Sequence, residues 1–225
     1  MALVPLNLPA GVYRNGTDLQ SQGRWRDSNL VRWFDDTLRP IGGWRTRSDT
    51  ASAGQVRGMH SWIANNSDRW IAAGSYNKLY AYSGAGIQYD ITPSGFTAGN
   101  EDALNPIGFG TSFYGREYYG TSRQEAVTIT PATTWSLDSF GEYLVACSST
   151  DGKVYEWQLN TGAIAAVISN APVNNRAILV TEERFLMCLG AGGNPRLVQW
   201  SDRENNNLWT PAATNEAGSL ELQTT

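Results

Sequence analysis

Residues 142–157 read EYLVACSSTDGKVYEW, in which two apolar runs flank a small polar turn. Short runs of this kind, rich in β-branched and aromatic side chains and bounded by turn residues, predict paired β-strands. The same layout recurs in RWIAAGSYNKLYAY (residues 69–82) and RFLMCLGAGGNPRLVQW (residues 184–200). No window of about twelve residues keeps the apolar spacing of an amphipathic helix without interruption by Gly, Pro or Asn. The sequence therefore predicts an all-β protein.

The three repeated units indicate the architecture. Each follows a further apolar segment, namely GMHSWIA, ATTWSLDSF and NRAILVTE, and the last is followed by GSLELQTT, which predicts one more strand. Repeated strand–turn–strand units are typical of β-propeller blades, which bury both faces against their neighbours. About three blades fit in residues 51–225, whereas propellers contain four to eight. We therefore expect a β-propeller-like domain with incomplete blades, the first part of a longer propeller or one completed by other chains. A large β-sandwich is the alternative.

Residues 1–50 predict a separate N-terminal arm and β-hairpin. The opening MALVPLNLPAGVY has neither a basic segment nor a sustained apolar run, so it predicts an extended arm rather than a signal peptide. Residues 24–45 then predict a strand (NLVRWF), a turn (DDT) and an edge strand containing Pro40. Because an isolated hairpin is marginally stable, we expect it to pack on the propeller or on a neighbouring subunit. The apolar side chains available for this packing are Trp25, Leu30, Val31, Trp33, Phe34, Ile41 and Trp44.

The composition argues against an enzyme. His60 is the only histidine, so most general-base chemistry and histidine-rich metal sites lack side chains. Cys147 and Cys188, the only cysteines, lie in apolar runs and are expected to be buried free thiols. The neighbouring Glu182 and Glu183 would point to opposite faces of a strand, which does not suit a catalytic carboxylate pair. We therefore expect no catalytic residue, no metal site and no cofactor. Separately, no apolar run approaches the ~20 residues of a transmembrane helix.

Arginine and tryptophan are concentrated near the N-terminus. Residues 1–60 carry eight arginines against five aspartates, whereas residues 61–225 carry nine basic against sixteen acidic groups. Arginine among aromatic residues is typical of nucleic-acid contacts and also of protein–protein interfaces. Aspartates interrupt these arginines and the chain has a pI near 5.0, which favours the protein interface over DNA. The candidate interface residues are Arg14, Arg24, Trp25, Arg26, Arg32, Trp33, Arg39, Trp44 and Arg45.

Four motifs carry a resemblance to a known family. GVYRNGT (residues 11–17), GRWRDSNLVRW (23–33), LRPIGGWR (38–45) and WSDRENNNLWTPAATNEAG (200–218) resemble the tail nozzle family of short-tailed bacteriophages, or podoviruses. That family comprises tail tubular protein B and the packaged-DNA stabilisation proteins, which are usually much longer chains. The resemblance implies a β-propeller subunit of the virion tail, assembled in the bacterial cytoplasm. Such subunits form a ring below the portal and adaptor, continue the DNA channel and retain the genome until ejection.

The resemblance also implies partners. These are other copies of the chain in a ring, expected to be a hexamer, the adaptor or head-to-tail connector, and tail fibre or tailspike proteins. DNA would pass through the channel without specific binding, and the chain would not insert into a membrane. If the chain lines such a channel, we expect an acidic or neutral lining, with the N-terminal arginines placed elsewhere.

The alternative function is a carbohydrate-binding β-propeller, either a lectin or a tailspike-like receptor-binding protein. A propeller glycosidase is disfavoured because no acid/base pair is evident.

Overall fold

The computed structural model describes residues 9, 11–43, 45–103 and 130–223. The fold is all-β, as the sequence predicted, and its strands form antiparallel sheets. The chain divides into two compact units, Met1–Thr46 and Arg47–Thr225, whereas the sequence placed the boundary at residue 50. In the described ranges, no helix has the length and apolar character needed to cross a bilayer.

The first unit contains a two-stranded hairpin of β1 (Val31–Phe34) and β2 (Thr37–Pro40). Asp35 and Asp36 form the connecting turn, with φ angles of 46° and 54°. Positive φ at both central residues is the geometry that matches the twist of a two-residue hairpin, and aspartate tolerates it better than most residues. The DDT segment therefore turns the chain where the sequence predicted.

The described residues of the second unit form three four-stranded antiparallel sheets, each built from consecutive strands in chain order. The first sheet consists of β3 (Met59–Ile63), β4 (Arg69–Gly74), β5 (Leu79–Ser83) and β6 (Gln88–Asp90). The second consists of β7 (Trp135–Phe140), β8 (Tyr143–Ser148), β9 (Val154–Trp157) and β10 (Ala166–Val167). The third consists of β11 (Ala177–Val180), β12 (Leu186–Leu189), β13 (Leu197–Trp200) and β14 (Gly218–Glu221).

The three repeated sequence units correspond to the two central strands of these sheets. The segment before each unit forms the first strand, and GSLELQTT contains β14. Two fourth strands, β6 and β10, were not predicted. Both are short, and β10 has only two residues, both exposed, so neither carries a period-2 pattern long enough to recognise.

A first core cluster lies between the first and second sheets. It is rich in aromatic rings: Trp70 meets Trp157 edge-on, with ring centroids 5.2 Å apart. Phe96 packs against Trp135 at 5.2 Å and against Tyr155 at 6.3 Å. Aromatic pairs in such offset geometries contribute about 0.5–1.5 kcal/mol beyond the area they bury.

A second core cluster lies between the second and third sheets and contains Val145 and Cys147 of β8. Their neighbours Leu144 and Ala146 belong to the first cluster. Because successive side chains of a strand point to opposite faces, β8 is covered on both sides. This explains why YLVAC is a continuous apolar run rather than an alternating one.

Tryptophan indole N–H groups tie the first two sheets together. Trp135 donates to the carbonyl oxygen of Ser75 at 2.7 Å, and Trp62 donates to that of Glu142 at 2.9 Å. Each bond joins residues far apart in the chain, and each satisfies the one polar atom of a large buried ring. The two sheets are thus held in one arrangement by polar bonds as well as by packing.

Candidate protein-protein interface

The N-terminal hairpin has two unlike faces. Residues opposite each other on paired strands share a face, so Arg32 and Arg39 lie together, as do Trp33 and Leu38. The Trp33 face is half-buried, whereas the arginine face is exposed. The alternation of VRWF along β1 therefore produces one apolar side and one cationic side.

The apolar side is organised by two tryptophans. The rings of Trp25 and Trp33 meet edge-on, with centroids 6.3 Å apart and planes inclined by 61°. Trp25 is held by the arm, because the Tyr13 N–H donates to the carbonyl oxygen of Trp25 at 2.8 Å. The indole Nε1 of Trp33 is buried and has no hydrogen-bond partner among the described residues. Two of the predicted interface tryptophans therefore come together.

Three of the predicted arginines have partners inside the arm itself. Arg14 forms an ion pair with Asp27 at 3.0 Å, and Arg26 forms one with Asp18. The guanidinium of Arg24 lies over the ring of Tyr13, 5.2 Å from its centroid. The aspartates that interrupt the arginines in the sequence therefore neutralise two of them locally, and these exposed pairs contribute about 0–1 kcal/mol each.

Arg32 and Arg39 are placed differently. They face each other across the hairpin, and both are exposed. Like charges directly opposite each other destabilise a strand pair. The guanidinium carbon of Arg39 lies over the ring of Phe34, 4.8 Å from its centroid, which is within the range of a cation–π contact. Neither arginine has an ion pair with a carboxylate among the described residues. The hairpin therefore carries two exposed arginines without a carboxylate partner on one face.

The remaining hairpin residues are distributed as follows. Arg45 is exposed, and Trp44 lies outside the described residues. Leu30, Phe34 and Ile41 are 55%, 49% and 46% exposed in the single chain. Their expected packing on the propeller or on a neighbouring subunit stays a prediction.

Other residues singled out in the sequence are placed plainly by the structure. Cys147 and Cys188 are buried free thiols, as predicted. Burial raises the pKa of Cys147 to about 12, with Asp151 adding a smaller effect, and burial raises the pKa of Cys188 as well. Glu182 and Glu183 are exposed, in the turn between β11 and β12 rather than in a strand. Across the described ranges, no three His, Cys, Asp or Glu side chains are grouped so as to hold a metal ion.

A groove on the third sheet was not predicted from the sequence. Its volume is about 260 Å³, and it is lined by Thr181, Glu183, Phe185, Met187, Trp200 and Glu216. Met187 and Trp200 are cross-strand partners on β12 and β13. The strands themselves were predicted, but which of their faces is covered depends on the neighbouring sheets and has no signal in the local pattern.

The chain was compared with family models, with curated proteins and with solved structures, and none of the three comparisons gave a match.

Proposed function

We propose that the chain is a structural subunit of the tail nozzle of a short-tailed bacteriophage. In this role it forms a ring with other copies below the portal and adaptor, continues the DNA channel and retains the packaged genome until ejection. The observation that carries the proposal is the succession of three four-stranded meanders in chain order, combined with the four family-like motifs. The chain would act by assembly in the virion tail, without catalysis and without a cofactor.

The second unit is proposed to be part of a β-propeller. Its second sheet has a core on both faces, whereas the sheets of a simple sandwich each cover one face. The first strands of consecutive sheets are also neighbours, because the Asp138 carboxylate on β7 accepts the Val180 N–H of β11 at 2.7 Å. In a propeller the corresponding strands of successive blades lie side by side around the axis. Blades following in chain order support this reading over a sandwich.

The cationic face of the hairpin is proposed to contact the adjacent subunit or the adaptor. Arg32 and Arg39 need an anionic partner to relieve their mutual repulsion, and the rest of the chain is acidic: nine basic and sixteen acidic groups in residues 61–225 give 9 − 16 = −7. Carboxylates of another copy can supply this charge, and arginine binds them in bidentate geometry. DNA is the less favoured partner because Arg14 and Arg26 are already neutralised within the arm.

The test replaces Arg32 and Arg39 together by alanine in the whole chain, mixed with the adaptor of the same phage. We expect ring assembly, followed by sedimentation velocity and electron microscopy, to be lost. The matched control replaces two exposed arginines of the second unit, Arg176 and Arg203, and should assemble normally. The proposal fails if the Arg32/Arg39 variant assembles normally. If it then also binds duplex DNA more weakly, with a shallower salt dependence, the hairpin is a nucleic-acid contact.

A carbohydrate-binding propeller is the second candidate, and the groove on the third sheet is the observation that favours it. Phe185 and Trp200 offer apolar ring faces beside the carboxylate of Glu183, a combination suited to stacking and hydrogen bonding with a sugar. Titration of the chain with oligosaccharides from the surface of the host, followed by tryptophan fluorescence, tests this function. Saturable binding that disappears in Trp200→Ala would favour the carbohydrate-binding protein over the nozzle.

A further inference from the structure

Among the described residues of the second unit, the three stacked sheets have two faces on which no core cluster forms. The second sheet has a core cluster on each side, whereas the first and third sheets have one on a single side. The uncovered side of the third sheet is called here the open face of the third sheet, and that of the first sheet the open face of the first sheet. These two faces differ in composition and lie at opposite ends of the stacking order.

The open face of the third sheet is apolar. Cross-strand pairing places two rows of side chains on it, Leu179, Met187, Trp200 and Gly218 in one and Ala177, Leu189, Val198 and Leu220 in the other. Leu220 is 57% exposed, although it lies in a strand. The Trp200 ring lies over Gly218, where a Cβ would collide with it, and its indole N–H donates to the carbonyl oxygen of Glu216 at 2.8 Å. The ring is therefore held in place before any partner arrives.

The open face of the first sheet carries exposed apolar side chains. Met59 and Ile63 on β3 are 68% and 63% exposed, and Ile71 beside them is half-buried. Another part is already covered by the segment before β3, since the Ala53 N–H donates to the Tyr80 hydroxyl at 3.1 Å. Large aliphatic side chains exposed in a strand next to a covered surface mark an interaction site.

The charges of the two open faces are complementary. Glu183 and Glu216 border the groove on the third sheet. Arg69 stands opposite Ile63 in the register of β3 and β4, so it belongs to the open face of the first sheet. In the part of the chain that the structure describes, none of these three side chains has an ion pair. A surface with one free cation thus matches a surface with two free carboxylates.

We infer that the open face of the third sheet binds the open face of the first sheet in a second copy of the chain. Within the chain, one face of the first sheet packs against the second sheet, and the other face of the second sheet packs against the third. The proposed contact between two copies repeats this arrangement. Such head-to-tail contacts form rings when the rotation closes. The described residues of two copies contribute six sheets, within the four to eight that propellers use, so the expected product of the 225-residue chain is a dimer with two equivalent contacts. This inference rests on the two faces alone and does not depend on the proposed function.

The first experiment measures the mass of the whole chain by sedimentation equilibrium over a range of concentrations. We expect twice the 24.6 kDa of one chain. Ile63→Glu and Leu220→Glu each place a charge in one of the two open faces and should raise the dissociation constant at least about thirtyfold, as hot-spot losses do. Val173→Glu is the matched control. Val173 is 54% exposed in the same unit but belongs to the connection between β10 and β11 and to neither open face, so this variant should remain a dimer. Circular dichroism and thermal unfolding verify that all three variants fold.

Mixing the two face variants tests the head-to-tail geometry. In a dimer of either variant alone, each of the two contacts would join one substituted face to one intact face. Each variant alone should therefore be monomeric. In the mixed pair, one contact joins the two intact faces and the other joins the two damaged ones. A 1:1 complex should therefore form on mixing and should be absent from either variant alone.

Charge reversal tests the match between Arg69 and the groove. Arg69→Glu should weaken the dimer, and adding Glu183→Arg and Glu216→Arg to the same chain should restore part of the lost affinity, as coupled residues do in a double-mutant cycle. A wild-type chain that is monomeric at every concentration would overturn the inference, because the two open faces would then not bind each other. A dimer that survives both Ile63→Glu and Leu220→Glu would overturn it too, and so would variants that do not complement each other on mixing.

Discussion

The hydroxyl of Ser136 makes two hydrogen bonds to the backbone of Ile178 in the neighbouring sheet. It donates to the Ile178 carbonyl oxygen at 2.6 Å and accepts the Ile178 N–H at 3.1 Å. Ile178 belongs to β11, the edge strand of the third sheet, whose outer backbone groups have no strand partner. Together with Asp138, which accepts the Val180 N–H, this side chain of β7 satisfies backbone groups that another strand would otherwise pair.

We expect Ser136→Ala to destabilise the second unit. The substitution would leave a part-buried N–H and carbonyl group of Ile178 without partners, at a cost of about 1–3 kcal/mol. Chemical denaturation followed by tryptophan fluorescence measures the free energy of unfolding. Ser139→Ala, on the opposite face of the same strand, is the matched control and should change it by less than about 0.5 kcal/mol. Equal effects of the two substitutions would show that the Ser136 bonds do not stabilise the contact between the sheets.

Gly74 is expected to tolerate no side chain. A Cβ at this position would overlap the ring of Trp135, whose indole N–H is bonded to the carbonyl oxygen of Ser75. Since the ring cannot move without losing that bond, Gly74→Ala should destabilise the unit by about 1–3 kcal/mol, the range for overpacked cores. The unfolding midpoint in denaturant measures this change.

The control for Gly74 is Gly162→Ala. Gly162 lies in an exposed turn, and a Cβ there would make only ordinary contact, 3.5 Å from the Asn160 side chain. Its unfolding midpoint should stay close to that of the wild type. If Gly74→Ala were as stable as Gly162→Ala, the close approach of β4 to Trp135 would not limit the packing of the two sheets.

The ion pair between Lys78 and Asp90 should make stability weakly dependent on pH. Their charged atoms lie 2.7 Å apart. Burial acts to raise the pKa of Asp90, but hydrogen bonds from Lys78 and Thr92 outweigh it and lower the pKa below its ordinary value of 3.8. The hydrogen bond to Asp90, followed by the carboxylate charge, raises the pKa of Lys78 above 10.5. The stabilisation should therefore be fully present between the ordinary pKa values of 3.8 and 10.5. It should be lost as the pH falls through the lowered pKa of Asp90, and lost as the pH rises through the raised pKa of Lys78.

Because both side chains are partly exposed, this effect should amount to less than about 1 kcal/mol. Thermal unfolding at a series of pH values, compared between the wild type and Asp90→Asn, measures it. We expect the difference in stability between the two proteins to shrink below pH 4 and to be largest near neutral pH. A difference that does not change with pH would mean that the carboxylate contributes through packing rather than through charge.

Cys147 and Cys188 should not react with thiol reagents in the folded protein. Both are fully buried, and burial raises the pKa of Cys147 to about 12. Ionisation alone should then slow its reaction at pH 8 by on the order of a thousandfold relative to an ordinary thiol, because the thiolate is the reactive form. Titration with a chromogenic disulfide should detect both thiols in guanidinium chloride and neither in buffer. Rapid reaction in buffer would indicate that the interface between the second and third sheets opens readily.

Several features were readable from the chain because they depend on local chemistry. The strands β4, β5, β8, β9, β12 and β13 follow from apolar runs bounded by turn residues, and the Asp35–Asp36 turn follows from residues that accept positive φ. The burial of Cys147 followed in the same way, because a continuous apolar run predicts a strand covered on both faces.

Other features could not be read because they depend on which distant groups meet. The sequence marked Arg14, Arg26, Arg32 and Arg39 as one interface set, but the structure pairs the first two with aspartates of the arm and leaves the last two facing each other. Arginine has the same intrinsic properties at all four positions. Its availability to a partner is decided by register and by the neighbouring carboxylates.

The short apolar runs and the turn residues that bound them were thus sufficient to specify an all-β fold of repeated hairpins, since strand and turn formation are decided by a few neighbouring residues. The stacking of the sheets was decided only in three dimensions. Ser136 reaches Ile178 across 42 positions, and Trp135 reaches Ser75 across 60. Whether an apolar strand face becomes core or remains open, as at Val145 and Leu220, depends on whether another sheet arrives to cover it. The free energy of burial belongs to that pair of surfaces, and no single stretch of sequence contains both.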